Sequence, residues 1–275
     1  MGFFSIVECA ILIAMKRQTR RVLFGIAVLV FAVVSWGATR YAQGYTLDLS
    51  TWSFVRTGAV SVSTNTPAKM FIDDILVGHT SFLGNNAGKD RLVPGRHEVN
   101  LVKDGWSPWH KTVEVEAGRL SDFPSVLLVS LSEEGRADAI ARSEEVFAFA
   151  KLASSSPITL SFTDNQFATL SKGTLFDSPI ASGSVLAEQV LGMARGGNDR
   201  LLWWTNNEIW IHWRSATNYQ PLRIKDERAL LARFRTPIVR VGWYDAEHVV
   251  VDMGKAGGVL ILELDTRGGQ NVIRI

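Results

Sequence analysis

The chain has 275 residues, with 29 basic and 27 acidic side chains and a formal net charge of +2 at pH 7. This balance lacks the basic excess of DNA- and RNA-binding surfaces, so we expect no nucleic acid partner. The single cysteine, Cys9, excludes a disulfide within the chain. Stability must come from packing, and nine tryptophans with 23 glycines are typical of short strands joined by tight turns.

An uncharged segment, Val22 to Thr39, follows a basic cluster that contains Arg20 and Arg21. At helical rise the segment is about 27 Å long, close to the roughly 30 Å of a bilayer's hydrocarbon core. Trp36 lies near its far end, where aromatic residues meet the membrane interface. We therefore predict a single-pass transmembrane helix over 22–39. Residues 1–21 would be a cytoplasmic stub, and everything after the helix would be extracytoplasmic.

Two alternatives concern this N-terminal part. A cleaved signal peptide also has a basic start, and Ala42-Gln43-Gly44 could be its cleavage site, although such peptides have an apolar core of only about 7–15 residues. Residues 1–14 are mostly apolar and precede a second apparent start at Met15, so we expect translation to begin at Met15. A cytoplasmic apolar tail or part of a bent hairpin is the other interpretation of residues 1–14.

Residues 40–56 are predicted to be a juxtamembrane linker, in which Trp52 rests at the interface or, as we favour, packs on the next domain. Short alternating apolar runs follow, and they predict a compact antiparallel β-sandwich over 57–131. Strands are expected at 58–63, 69–72, 75–77, 97–103, 106–116 and 123–131, and the polar segment 79–91 is expected to be a loop. Turns are expected at 65–67, Asp73-Asp74, Pro94-Gly95 and Asp104-Gly105.

The turns of this sandwich carry residues in the order and spacing of a PEGA domain, which the segment resembles. The matching positions are Pro67, Asp73, Gly78, Pro94, Gly95, His97 and Gly105. PEGA domains are small extracytoplasmic β-sandwiches of bacterial envelope proteins, so the resemblance implies that fold and that location. The departures lie in turns: no Glu-Gly follows Pro67, Asp74 replaces a glycine, Ser81 a proline and Trp106 a tyrosine, and an insertion fills 83–91. No ligand preference of a relative can therefore be carried over.

Residues 132–145 are predicted to be a linker, with a short helix as the alternative, and a strand is expected at 146–149. From 146 to 275 apolar strands alternate with turns, and residues 238–275 hold four strands, about the size of one propeller blade. This region resembles WD-like β-propellers at Trp243, His248, Glu263, Asp265, Arg267 and Asn271. The resemblance implies a partial propeller, since only about three blades fit and a ring needs about 4–8. We therefore expect either truncation after Ile275 or a reduced sheet.

No pattern in the sequence identifies a catalytic reaction. Motifs for phosphate binding, dinucleotide binding, a serine nucleophile elbow and a zinc protease are absent from the sequence. The five histidines are scattered, Asp73-Asp74 lacks the ligand alternation of a calcium loop, and the glutamate pairs 133–134 and 144–145 are expected to be solvated. Gly192 to Asn198 is predicted to be a loop. We expect no cofactor and no metal, and a propeller-type hydrolase ranks last among the functions.

Aromatic rings remain as candidate ligand contacts, because rings can stack on the apolar faces of sugars. Trp106 and Trp109 flank Pro108 after a hairpin turn and are the candidates, although core packing is the stronger expectation for Trp109. Trp204, Trp210 and Trp213 form a second candidate set, in which packing between blades is expected for the alternating pair Trp204 and Trp210. The sequence thus predicts a mainly β, non-catalytic envelope scaffold held in the lipid bilayer. Its partner would be envelope polysaccharide or, alternatively, another protein bound by propeller loops or open strand edges.

Overall fold

The structure is a computed structural model that describes residues 17–48, 52–80, 84–181 and 183–275. Over these residues the chain is mainly β, with one long N-terminal apolar helix and several antiparallel sheets. The expectations about residues 1–16, including the start at Met15, and about Ser81 lie outside the described residues.

The described chain contains three α-helices, one 3-10 helix (Thr163–Asn165) and twenty-two strands. The helices are α1 (Arg17–Ala42), α2 (Glu133–Phe147) and the short α3 (Gly254–Gly257). The strands before α2 are β1 (Tyr45–Asp48), β2 (Ser53–Arg56), β3 (Gly58–Thr64), β4 (Lys69–Ile72), β5 (Ile75–His79), β6 (Asn86–Leu92), β7 (Gly95–Val102), β8 (Trp109–Val115) and β9 (Leu120–Val126). Those after α2 are β10 (Lys151–Leu152), β11 (Ile158–Ser161), β12 (Phe167–Ser171), β13 (Thr174–Phe176), β14 (Val185–Ala187), β15 (Gly192–Gly196), β16 (Arg200–Trp204), β17 (Glu208–Trp213), β18 (Glu227–Arg233), β19 (Arg240–Trp243), β20 (His248–Asp252), β21 (Val259–Glu263) and β22 (Val272–Arg274).

The helix α1 is long and apolar enough to cross a membrane, and none of its residues is buried in the protein. It extends beyond the predicted 22–39 at both ends. The basic residues Arg20 and Arg21 continue the same helix, as do Arg40 and Tyr41 at the other end. Helical hydrogen bonding therefore runs past the uncharged segment into the flanking charged residues.

The segment predicted to be a juxtamembrane linker over 40–56 contains regular structure: residues 40–42 end α1, and β1 and β2 pair as an antiparallel hairpin. Gly44 follows the helix with φ of +80°, a conformation that glycine adopts without strain, and the chain reverses there. Opposite positions such as Leu47 and Phe54 then pair across the hairpin. Trp52 is 77% exposed, so the expectation that it packs on the following domain is wrong.

Residues 58–126 form a sandwich of two sheets, with strand orders β6-β3-β9 and β5-β4-β7-β8. Alternate side chains of both sheets meet in one core, which includes Val62, Met70, Val99 and Leu101. The strand pairs are antiparallel except β3 and β9, which run parallel. The prediction of a purely antiparallel sandwich is therefore wrong for the pair of β3 and β9.

Two further expectations for the sandwich are revised. The predicted loop over 79–91 contains an edge strand, β6, that pairs with β3 and points Ala87 at the core. Its polar composition fits an edge position, where one face and one side remain in water. The last strand lies at Leu120–Val126 instead of 123–131. The tight reversal at Asp73-Asp74 is confirmed, since both residues have positive φ, as a primed hairpin turn requires.

The predicted linker over 132–145 is a helix, α2, so the alternative is correct, and the strand expected at 146–149 is absent because the helix continues to Phe147. Ser132 caps the helix by accepting a hydrogen bond from the backbone N–H of Gly135 at 3.1 Å. Glu133 and Glu134 lie in the first turn, where the helix dipole favours negative charge. The inner face, with Ala139, packs on the last sheet.

Residues 151–275 form three successive sheets in which most neighbours along the chain are neighbours in the sheet. Sheet A is β11-β12-β13-β14, sheet B is β10-β15-β16-β17-β18, and sheet C is β19-β20-β21-β22. The predicted loop over 192–198 is wrong, because Gly192–Gly196 is strand β15. Packing requires a glycine at position 192, because a Cβ atom there would lie 2.3 Å from the Trp204 ring.

The three sheets stack through two apolar layers. One layer lies between sheets A and B and includes Leu170 and Trp203. The other lies between sheets B and C and includes Trp204, Trp213 and Val249, so the expected packing of Trp204 is confirmed. Trp210 is partly buried and packs against the layer between sheets A and B. The remaining face of sheet C is covered by α2 and residues 127–129.

Candidate functional site: the junction cleft

The two predicted ligand tryptophans are not both accessible. Trp109 is 2% exposed, and its indole Nε1 donates a hydrogen bond to Glu263 Oε2 at 3.2 Å. A sugar cannot stack on this ring, so Trp109 as a ligand contact is wrong and the alternative of core packing is correct. Trp106 is half-buried, and Lys103 Nζ lies 3.8 Å from its ring centroid. One face of Trp106 is therefore taken by a cation from the protein itself.

The PEGA-like positions lie in or beside the turns of the second sandwich sheet. His97 Nδ1 is 2.6 Å from the Asp73 carboxylate, and its Nε2 is 2.8 Å from the Val93 carbonyl oxygen. Asp73 also accepts a hydrogen bond from the Glu98 backbone N–H at 2.9 Å. Burial alone would raise the pKa of Asp73, but the hydrogen bonds from His97 and Glu98 lower it overall. Burial alone would lower the pKa of His97, but the Val93 carbonyl and the Asp73 carboxylate raise it overall.

These contacts tie the turn at Asp73 to strand β7, so Asp73 and His97 have a structural role in the turn. Pro67, Gly78, Pro94, Gly95 and Gly105 lie in the same set of strand ends and turns. Of the anchor residues, Arg20 and Arg21 lie exposed on α1, and Trp36 contacts Phe54 of the hairpin with ring centroids 5.3 Å apart.

A buried ion pair joins the sandwich to sheet C. Lys111 of β8 is completely buried, and its Nζ lies 3.0 Å from the Glu263 carboxylate. The same ammonium donates to the carbonyl oxygens of Asp265 and of Gly269, the latter at 2.6 Å. All three protons of the ammonium therefore have acceptors. Glu263 also accepts from Asn271 Nδ2 at 3.0 Å, so this carboxylate connects both units.

The edge strands β8 and β9, one from each sandwich sheet, form hydrogen bonds with residues from the second half of the chain. On β8, the backbone N–H of His110 donates to Asn271 Oδ1 at 3.2 Å, and that of Thr112 donates to the Gly268 carbonyl at 3.0 Å. On β9, the side-chain amide of Gln220 accepts from the Asp122 N–H at 2.9 Å and donates to the Leu120 carbonyl at 2.8 Å. The edges are thus closed within the protein along part of their length.

Residues of the two edge strands line a cleft of about 580 Å³, which we call the junction cleft. Apolar side chains form its floor and rims, among them Val113, Leu120, Phe123 and Leu222. Leu222 is 71% exposed, which is unusual for a large apolar side chain beside a cleft. Arg267 covers the Phe123 ring, with its guanidinium 4.5 Å from the ring centroid.

The open part of β8 presents backbone groups to the junction cleft. In an antiparallel edge strand, alternate residues direct their N–H and C=O groups toward the free side. His110 and Thr112 bond outward, so Glu114 faces the same side. No backbone group within the described ranges bonds to Glu114 there. The site therefore offers a free donor and a free acceptor beside exposed apolar side chains.

The described residues contain no group of three or more His, Cys, Asp or Glu side chains that could hold a metal ion. His212 differs from the other histidines in its surroundings: it is buried and has no hydrogen-bond partner at either ring nitrogen. Burial, with the nearby charge of Arg214 as the next cause, lowers the pKa of His212 to about 4. His212 is therefore neutral at physiological pH and packs edge-on against Trp203.

The residues that build this junction were not predicted from the sequence. Lys111 carried a signal, because strict alternation with Val113 and Val115 points its side chain into the sandwich. A lysine at an inward position needs a buried partner. That partner, Glu263, is far away in the sequence, and the alternating pattern gives no indication of it.

No family model matches the chain, and no curated protein matches it. Among solved structures, the Bacillus anthracis TIE protein is 12% identical over 65% of this chain and 32% of that one, with a TM-score of 0.23. This chain thus spans about a third of the length of the Bacillus anthracis protein. A Bacteroides fragilis protein of unknown function, described as membrane-associated, is 12% identical over 79% of this chain and 93% of that one, with a TM-score of 0.20. Likenesses this distant carry no argument about fold or function.

Proposed function

We propose that this protein is a non-catalytic, membrane-anchored scaffold that binds an extended segment of a partner protein in the junction cleft. The observation that carries the proposal is the outward backbone of Glu114 on an edge strand, beside Leu120 and Leu222. An extended peptide binds such an edge by adding a strand, with main-chain hydrogen bonds for affinity and side-chain contacts for specificity. Envelope polysaccharide ranks second, since one of its two candidate rings is buried.

The chemistry of the cleft supports a peptide with mixed side chains. The exposed leucines on its rims can take apolar side chains of an added strand. The carboxylates of Glu114 and Glu116 and the guanidinium of Arg119 lie on the same rim and can pair with charges of either sign. Arg119 already pairs with Glu116 at 2.6 Å, at the exposed surface. The partner is therefore expected to be amphipathic and not strongly charged.

The placement of the units belongs to the same proposal. The helix α1 anchors the chain, its basic end with Arg20 and Arg21 lies in the cytoplasm, and the β-units lie outside. The sandwich acts as a PEGA-like stalk, supported by the turn residues Asp73 and His97. Sheets A, B and C act as propeller-like blades, supported by their antiparallel order of four strands in sheets A and C and five in sheet B. The Arg91 guanidinium lies 3.8 Å from the Tyr41 ring centroid, which joins the stalk to the helix end.

The test uses the full chain in lipid nanodiscs and a displayed library of random peptides. Peptides selected on the wild type are measured against Glu114→Pro, which removes the backbone N–H, and against Glu114→Ala, which keeps it. An edge strand tolerates proline, so both variants can fold. We expect Glu114→Pro and Leu222→Ser each to weaken binding about tenfold, as the loss of one or two good contacts does, and Glu114→Ala to bind like the wild type.

Two results would contradict the proposal. One is selection of peptides whose binding is the same in all three variants and the wild type. The other is equal weakening by Glu114→Pro and Glu114→Ala, which would assign the effect to the carboxylate and not to strand addition. Co-sedimentation of the nanodiscs with insoluble cell-wall polysaccharide, with Trp106→Ala as the comparison, tests the second-ranked partner.

A further inference from the structure

The hairpin of β1 and β2 lies against the membrane helix instead of extending away from it. The rings of Trp36 on α1 and Phe54 on β2 meet edge to face, with centroids 5.3 Å apart. Arg40 lies between the two elements, 5.6 Å from the Trp36 ring centroid and 5.2 Å from that of Tyr45. The hairpin therefore runs back along α1 toward the middle of the helix.

The position of Trp36 gives the depth of the hairpin. Trp36 precedes the helix end at Ala42 by six residues, which is about 9 Å of helix. It also lies inside the uncharged segment that ends at Thr39. Phe54 lies at the same depth as Trp36, because the two rings are in contact. Trp52 directly precedes β2, on the side of Phe54 that is farther from the base of the hairpin.

The side chains at this level are large, apolar and exposed. Trp52 is 77% exposed, Phe54 48% and Leu47 40%, and the helix surface beside them is exposed as well. Tryptophan and phenylalanine at a water-facing hairpin would be costly, whereas at a bilayer interface they are favoured. Because the apolar hairpin surface is continuous with the helix surface, a bilayer that covers one reaches the other.

The hairpin is also fixed at its base. The Thr57 backbone N–H donates to the Gly44 carbonyl at 2.9 Å, and the Gly118 N–H donates to the Thr57 carbonyl at 2.9 Å. The Arg56 guanidinium packs so closely on Gly118 that a Cβ atom there would lie 2.6 Å from it. The hairpin thus connects the helix end to the sandwich.

We propose that the β1–β2 hairpin is a second membrane contact, which inserts Trp52 and Phe54 into the interface of the same bilayer that α1 crosses. The inference rests on the anchoring part of the proposed function. Interfacial depth is consistent with the backbone, because a two-stranded hairpin has unpaired edges that need the water and headgroups of the interface. A hairpin held at the interface would fix the orientation of the sandwich relative to the plane of the membrane.

The experiment measures depth with spin labels on the full chain in nanodiscs of phosphatidylcholine and phosphatidylglycerol. In a Cys9→Ser background, single cysteines are placed by Trp52→Cys and by Leu47→Cys, the latter keeping both aromatic rings. Phe31→Cys on α1 is the lipid reference, since its side chain is 73% exposed on the helix. Leu222→Cys is the water reference, because Leu222 is also highly exposed but lies at the junction cleft.

Each label is scored by its collision rates with oxygen, which concentrates in lipid, and with a water-soluble nickel chelate. We expect labels at 47 and 52 to shift from the value at 222 toward the value at 31. Labels at 47 and 52 that match 222, while 31 remains in lipid, would overturn the hairpin inference and leave the anchor intact. Shielding at 47 and 52 from both reagents would indicate a protein partner or second copy and would also overturn it. A label at 31 that behaves like 222 would overturn the anchor, and the hairpin inference with it.

Discussion

At the scale of single residues, the buried ammonium of Lys111 is the contact on which the junction most depends. Replacement by methionine keeps the length of the side chain but leaves the Glu263 carboxylate buried with its lysine partner gone. Breaking a buried pair by removing one partner typically costs about 3–5 kcal/mol. We expect Lys111→Met to lower the denaturation midpoint of the detergent-solubilised chain by an amount of this order.

The matched control removes both charges. In Lys111→Met with Glu263→Gln, the remaining amide can still bond to Trp109 and Asn271, so most of the lost stability should return. Equal midpoints for the single and double variants would show that the charge on Glu263 is not what destabilises the single variant.

The buried His212 predicts a pH dependence of stability. Burial, followed by the charge of Arg214, lowers its folded-state pKa from 6.5 to about 4, while Asp177 and Asp226 act in the opposite direction. The unfolded chain therefore binds more protons than the folded chain between these values, and stability falls as the pH drops from 6.5 to 4. The full shift corresponds to about 3 kcal/mol.

The measurement is the unfolding temperature of the solubilised chain between pH 7 and 4. Because His212→Leu has no titrating group at this position, its unfolding temperature should fall less than that of the wild type over the same range. Two parallel profiles would refute a contribution from His212. The pair of Asp73 and His97 is common to both proteins and cancels in the comparison.

At the scale of elements, α2 depends on its first turn. Ser132→Ala removes the acceptor for the Gly135 N–H and should cost about 1 kcal/mol, measured as a lower denaturation midpoint. Ser132→Asp keeps an acceptor at the same position and should be close to the wild type. The same loss in both variants would mean that Ser132 acts through Ser130, whose hydroxyl lies 2.9 Å from its own.

Strands with clear apolar alternation and explicit turn residues could be predicted from sequence, as the agreement of β4 at Lys69–Ile72 with the predicted strand at 69–72 illustrates. Strands that depend on a distant partner could not. The edge strand β6 is mostly polar and is fixed by pairing with β3, and β15 begins with a glycine that only the Trp204 ring explains. The junction cleft could not be predicted from the sequence either, because its walls come from segments about a hundred residues apart.

At the scale of the whole molecule, the units behave as connected parts. The helix α1 is joined to the sandwich through Tyr41 and Arg91, and the sandwich to sheet C through Lys111. Sheet C is joined to α2 by Arg240, which contacts the Glu144 carboxylate through two hydrogen bonds of 2.7 Å. Side-chain contacts therefore connect these units in series.

The charges beside α1 predict an orientation of the whole chain that can be tested in intact cells. Positive residues before a span are retained in the cytoplasm, so Arg17, Arg20 and Arg21 predict that the junction cleft lies outside. In a Cys9→Ser background, a membrane-impermeant maleimide should label Ile224→Cys, whose side chain is exposed. It should label Arg17→Cys only after the cells are permeabilised. Val250→Cys is completely buried and should remain unlabelled throughout, which controls for unfolded protein. Labelling of Arg17→Cys but not of Ile224→Cys in intact cells would reverse the proposed orientation.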